Sequence, residues 1–129
     1  MSSIEELKEE EAKLEGALKE AIRRREELNS ALAELKRALE EVRSKFYSTR
    51  DYLEAGRLER SMLNLTNRIG PLENELGEVE KRIKGLETSI KQVRRRIEDL
   101  TRSRGAAWVV EYEGRKAEGG SNSPATNSR

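Results

Sequence analysis

Two arginine triplets, Arg23–Arg25 and Arg94–Arg96, and the acidic run EELKEEE at 5–11 are the residues whose type and spacing could do chemistry in this chain. Guanidinium groups bind phosphate through forked N–H donors. Carboxylates serve as acid and base only when a pair sits in environments that separate their proton affinities. Here the carboxylates lie in solvated runs, and nothing marks such a pair. Glutamates on facing helices could form a metal cage, but the Glu-x-x-His signature of helical di-metal sites needs histidine, and the chain has none. It has no cysteine, hence no thiolate nucleophile and no disulfide. No glycine-rich phosphate loop or nucleophile elbow occurs, and the glycines of EGGSNSP sit in polar tail composition. The expectation is a protein that is not an enzyme and holds no cofactor or metal.

The arginines admit two uses. As phosphate contacts, Arg94, Arg95, Arg96, Arg102 and Arg104 would form a basic end, extended by Arg115 and Lys116. As structural cations, they would pair with acids across a helix interface. Three consecutive helical residues point in different directions, so neither triplet makes one basic stripe. The net charge of +1 gives little bulk attraction to nucleic acid.

These side chains must be positioned by helices. Of the 129 residues, 40% are charged, 34% hydrophobic and 4% aromatic, which fits either disorder or a long helical coil. Heptad spacing selects the coil. In a first arm the a positions are Ile4, Glu11, Leu18, Arg25, Leu32, Leu39 and Phe46, and the d positions are Leu7, Leu14, Ala21, Leu28, Leu35 and Val42. All are apolar except Glu11 and Arg25, polar a residues of the kind that fix register. In a second arm, Met62, Ile69, Leu76, Ile83, Ile90 and Ile97 occupy a, while Leu58, Leu65, Leu72, Val79, Leu86, Val93 and Leu100 occupy d. Ser3 followed by Glu6 reads as a capping box at the start.

The two frames do not join. The first puts its next a position at 53, and the second, run backwards, puts one at 55. A continuous coiled coil absorbs insertions of about three or four residues, not two. The break falls at the midpoint, near Tyr52, where Asp51 can cap a new helix with Glu54 in its first turn. An antiparallel hairpin follows. Charge agrees: residues 1–20 hold seven Glu against three Lys, and residues 91–104 hold six Lys or Arg against two acids. Folding about Tyr52 sets these unlike ends side by side, with Arg94–Arg96 facing Lys8, Glu9 and Glu10.

Pro71, in RIGPLEN, removes a backbone donor from the second arm and predicts a kink or a short break there; a turn at Gly70–Pro71 is the competing topology. AAWVVEYEG at 106–114 alternates like a strand, with Trp108, Val110 and Tyr112 on one face, and reads as a segment that docks a partner. The remainder, RKAEGGSNSPATNSR, has the composition of a flexible tail. Ala17, Ala31, Ala38 and Ile22 flank the first seam and widen its apolar stripe, enough for a second hairpin to pack as a dimer or higher oligomer.

At the tip, DYLEAGRLERSMLNL, residues 51–65, resembles the UVR hairpin, a short helical interaction module of bacterial excision-repair proteins. Asp51, Tyr52, Ala55, Gly56 and Leu58 match its pattern, while Glu59 and Arg60 stand where that family has Arg-Asp. The resemblance implies a helical hairpin turning at 50–52. A prefoldin-type hairpin is excluded, since no β-hairpin insertion separates the arms.

The expected fold class is all-α: a long antiparallel two-helix coiled-coil hairpin. Its parts are a first arm at 3–47, a turn at 48–51, a second arm at 52–104, a strand-like segment at 105–114 and a flexible tail at 115–129. No apolar run is long enough to span a membrane and the start lacks an apolar signal core, so a cytoplasmic setting without membrane contact is expected. The expected role is a structural or assembly module acting by protein–protein contact. The alternatives are a nucleic-acid-associated factor using the basic end, and an adaptor that docks an enzyme through residues 106–114.

Overall fold

The computed structural model describes the backbone of residues 3–118 and the side chains of residues 3–104. It contains two helices, α1 (Ile4–Ser48) and α2 (Tyr52–Glu118), joined by residues 49–51 and packed antiparallel. The chain divides into two compact units that both helices traverse: a turn unit, Ala17–Leu86, and an end unit, Met1–Gly16 with Glu87–Arg129.

In the end unit α1 begins at the capping box read from the sequence. The Glu6 amide donates to Ser3 Oγ at 3.1 Å, and the Ser3 amide donates to Glu6 Oε1 at 2.9 Å. Two of the amides that a helix start leaves without intrahelical partners are thus satisfied. Leu7, Ile90 and Val93 are buried, and Ile4, Leu14 and Ile97 are half-buried around them.

In the turn unit the core is Ala21, Leu28, Leu32, Ile69 and Ile83. Every other a and d position of this unit is half-buried, Arg25 included. Removing a Leu or Ile side chain from water contributes about 1.5–3 kcal/mol, so this seam outweighs any surface ion pair as the source of cohesion. The half-buried remainder follows from geometry, since one neighbouring helix covers only one side of a seam residue.

The connection is held by hydrogen bonds rather than by glycine. Asp51 is the N-cap of α2: its Oδ1 accepts from the Leu53 amide at 3.0 Å and the Glu54 amide at 3.4 Å, and its carbonyl accepts the first helical bond, from Ala55, at 2.9 Å. Thr49 adds a relay. Its Oγ1 accepts from the Asp51 amide at 3.1 Å and donates to the Glu54 carboxylate. Glu54, three residues after the cap, therefore reaches the cap's own amide through a hydroxyl instead of directly, a capping box with one extra member.

Two expectations are corrected. The strand-like segment at 105–114 is helical, as α2 continues to Glu118. A strand needs a partner ladder, and the described residues contain no other strand. An established helix, by contrast, extends at the cost of one residue's freedom per added bond, and Ala106 and Ala107 are the best residues with which to extend it. The second concerns Pro71: α2 runs through it without interruption, so the short break offered as the alternative to a kink is absent, and the chain turns at residues 49–51 rather than at the competing Gly70–Pro71. The seam frame, unbroken from Ile69 to Leu72, keeps the helix in register while the Asn67 carbonyl forgoes its usual donor. Of the tail expected at 115–129, residues 115–118 belong to α2, and residues 119–129 lie outside the described residues.

Candidate functional site

Polar side chains that cross from one helix to the other do so by ion pairing. In the end unit, Arg94 Nε donates to Glu11 Oε2 at 2.6 Å and its Nη2 to Glu15 Oε2 at 2.5 Å. Glu11, the polar a residue, keeps only 23% of its side-chain surface exposed. Its cost in the seam is offset because Arg94 reaches over it from the flank. The two hydrogen bonds hold the Arg94 guanidinium above its ordinary proton affinity. In the turn unit, Arg24 grips Glu75 with two bonds, at 2.8 and 2.9 Å, and Lys36 meets Glu73 at 3.0 Å. The Arg24 hydrogen bonds hold the Glu75 carboxyl below its ordinary value, against a smaller opposing effect of desolvation.

This geometry sorts the arginines. Arg94 is committed to Glu11 and Glu15, and Arg102 to Asp99. Arg95, Arg96 and Arg104 are exposed and belong to no ion pair among the described residues. Of the first triplet, Arg23 bonds Glu20 and Glu27 on its own helix, Arg24 bonds Glu27 and Glu75, and Arg25 is half-buried at its a position. The basic end therefore offers three free cations among the five residues assigned to phosphate contact. Trp108, Val110 and Tyr112 lie on helical backbone. Positions 108 and 112 fall one turn apart, and 110 falls on the opposite side of the helix, so the single face expected of a strand does not exist. Among the described residues no cluster of His, Cys, Asp or Glu is arranged to hold a metal ion, and no helix is long and apolar enough to cross a membrane.

The surface least like a solvated helix lies at the turn. Tyr47 in the last turn of α1 is 78% exposed, and Tyr52 and Leu53, which open α2, are 90% and 75% exposed. Leu63, further along α2, is 62% exposed. Relative to the heptad seam, Tyr52 counts only as a turn residue, and Tyr47, Leu53 and Leu63 have no role. Their signal was their position off it: Tyr47 follows the last a residue of the first frame, Leu63 follows an a residue of the second, and Leu53 would be a seam residue only if the first frame continued. The slip of frame at the turn is what puts Leu53 outside. Elsewhere in the turn unit, a shallow groove between the helices is lined by Ala31, Glu34, Leu35, Arg68, Pro71 and Leu72.

Comparison with protein-family models finds no match, and neither the curated proteins nor the solved structures yield a similar chain.

Proposed function

We propose that this protein is a non-enzymatic assembly module that works by helix–helix contact. The observation that carries the reading is the incomplete cover of its seam. In the turn unit Leu18, Leu35, Leu39, Leu72 and Leu76 are only half-buried, with Ala17, Ile22, Ala31 and Ala38 half-buried beside them. Ala17, Ala31 and Ala38 line one side of the α1 seam and Ile22 the other, so further helices laid along these flanks would remove that apolar surface from water, at about 25 cal/mol per Å². Small side chains at 17, 31 and 38 let another backbone approach closely, and a second copy of the hairpin supplies the matching face of a four-helix bundle.

Sedimentation equilibrium across a wide range of protein concentration tests the reading. Mass should rise from monomer toward dimer or beyond, and Ala31→Glu with Ala38→Glu should return it to monomer while the helical circular dichroism persists. A monomer mass at every concentration would contradict self-assembly.

A further inference from the structure

The outward face of α2 between Lys81 and Arg95 carries cations at the helical step. Lys81, Lys84, Thr88, Lys91 and Arg95 follow one another at intervals of three and four residues, which places them on one side of the helix. That side lies away from the seam residues Ile83, Leu86, Ile90 and Val93. All five are exposed, and the row runs for about 21 Å at 1.5 Å per residue. Arg82 and Arg96, also exposed, stand on one border, and Glu80, Glu87 and Arg94 on the other. Lys81, Arg82, Lys84, Lys91, Arg95 and Arg96 belong to no ion pair among the described residues.

The surplus persists when every neighbouring acid is counted, bonded or not. From Glu80 to Arg96, seven Lys or Arg stand against two Glu. The part of α1 that runs opposite, Lys8 to Arg24, holds five residues of each sign; the ion pairs of Arg94 with Glu11 and of Arg24 with Glu75 set that register. So α1 does not neutralise this stretch of α2, although the whole chain is nearly neutral. The chemistry of the face selects the ligand. It holds no large apolar side chain, so neither an amphipathic helix nor a lipid surface finds an anchor there. Exposed pairs with the carboxylates of an acidic protein segment give about 0.2–1 kcal/mol each and are screened by salt. A phosphodiester backbone differs, because it carries condensed counterions that are released as its phosphates are neutralised. No aromatic side chain accompanies these cations to stack on unpaired bases, and a duplex has the higher charge density.

We propose that this face of α2 binds the phosphate backbone of double-stranded nucleic acid without reading its sequence. Lys81, Lys84, Lys91 and Arg95 contact phosphates, Thr88 donates its hydroxyl, and Arg82 and Arg96 widen the contact along one border. The inference goes beyond the assembly reading and uses none of the α1 residues that carry it. It overlaps the basic end read from the sequence only at Arg95 and Arg96.

The test uses the full chain and a fluorescein-labelled DNA duplex of mixed sequence, read by fluorescence anisotropy at several salt concentrations. Saturable binding is expected, with an affinity that falls as salt rises; full use of the cations sets a limiting slope of about −5 in log K against log salt. Lys84→Glu with Lys91→Glu should weaken binding about tenfold or more and make the slope shallower by about two. Lys45→Glu with Arg57→Glu makes the same change of net charge near the turn and should leave the slope as it is. All four altered residues are solvent-exposed, so helical circular dichroism should be unchanged. A duplex of unrelated sequence should bind equally well. Absence of saturation at low salt, an equal loss in the variant near the turn, or dependence on sequence would each overturn the proposal. So would tighter binding of an oligo(dT) strand, or displacement by polyglutamate as effective as that by unlabelled duplex.

Discussion

Leu28→Ala and Leu63→Ala delete the same atoms from the same residue type, and the structure assigns them very different costs. Leu28 sits at a d position of the turn unit with 1% of its surface exposed, whereas Leu63 points outward and is 62% exposed. A buried Leu→Ala change costs about 2–5 kcal/mol, the spread reflecting how far the site collapses around the gap. The seam is open at its sides, so neighbouring side chains can relax into the space, and the lower half of that range, about 2–3 kcal/mol, applies to Leu28. Leu63→Ala should stay within about 0.5 kcal/mol of the parent, the usual bound for a surface change. Urea unfolding followed by far-UV circular dichroism, at one low protein concentration, reads both. With a slope of about 1–3 kcal/mol per molar urea, Leu28→Ala should lower the midpoint by about 1–2 M and Leu63→Ala by almost nothing. Equal effects, or a larger one at Leu63, would refute the assignment of the seam.

Other consequences are quicker to check. Pro71→Ala returns an amide donor to the Asn67 carbonyl in an uninterrupted helix, and should stabilise the chain by up to about 3 kcal/mol in the same urea assay. Gly77→Ala should add about 0.8–1 kcal/mol, since a Cβ there meets nothing within 4 Å. Asp51→Ala should cost about 0.5–2 kcal/mol by leaving the first amides of α2 without their acceptor. Because Glu75 is more acidic folded than unfolded, its contribution is present at neutral pH and is lost as pH falls below its ordinary value of 4.5 and through its lowered folded value. Glu75→Gln should therefore flatten the acid limb of the stability profile and leave the alkaline limb unaltered.

Much of this fold could be read before any coordinates, for a physical reason. A two-helix seam repeats one contact many times, so a periodic pattern carries nearly all its information. The a and d residues of the first frame are all buried or half-buried, and in the second frame only Leu100 is exposed. The frame slip marked the turn because two residues rotate a helix too far for a continuous seam. Two features escaped because the helical period does not encode them. Residues 106–114 alternate like a strand, but alternation over so short a run carries less weight than the helix already propagating into it. The Thr49 hydroxyl that links Glu54 to the Asp51 amide depends on the path of three turn residues, which no spacing rule encodes. The tip surface was likewise hidden, because exposure is decided by what the opposite helix fails to cover.

The antiparallel pairing of the two helices is tested most directly in the end unit, where Arg94 meets Glu11 and Glu15. Spin labels at the exposed positions 9 and 95, diluted with unlabelled chain and read by double electron–electron resonance, report the distance within one molecule. Helices in contact, with axes about 8–10 Å apart, predict a narrow distribution near 20–30 Å once the label arms are included. A separation beyond about 100 Å, as one unbroken helix rising 1.5 Å per residue would produce, would contradict the hairpin outright.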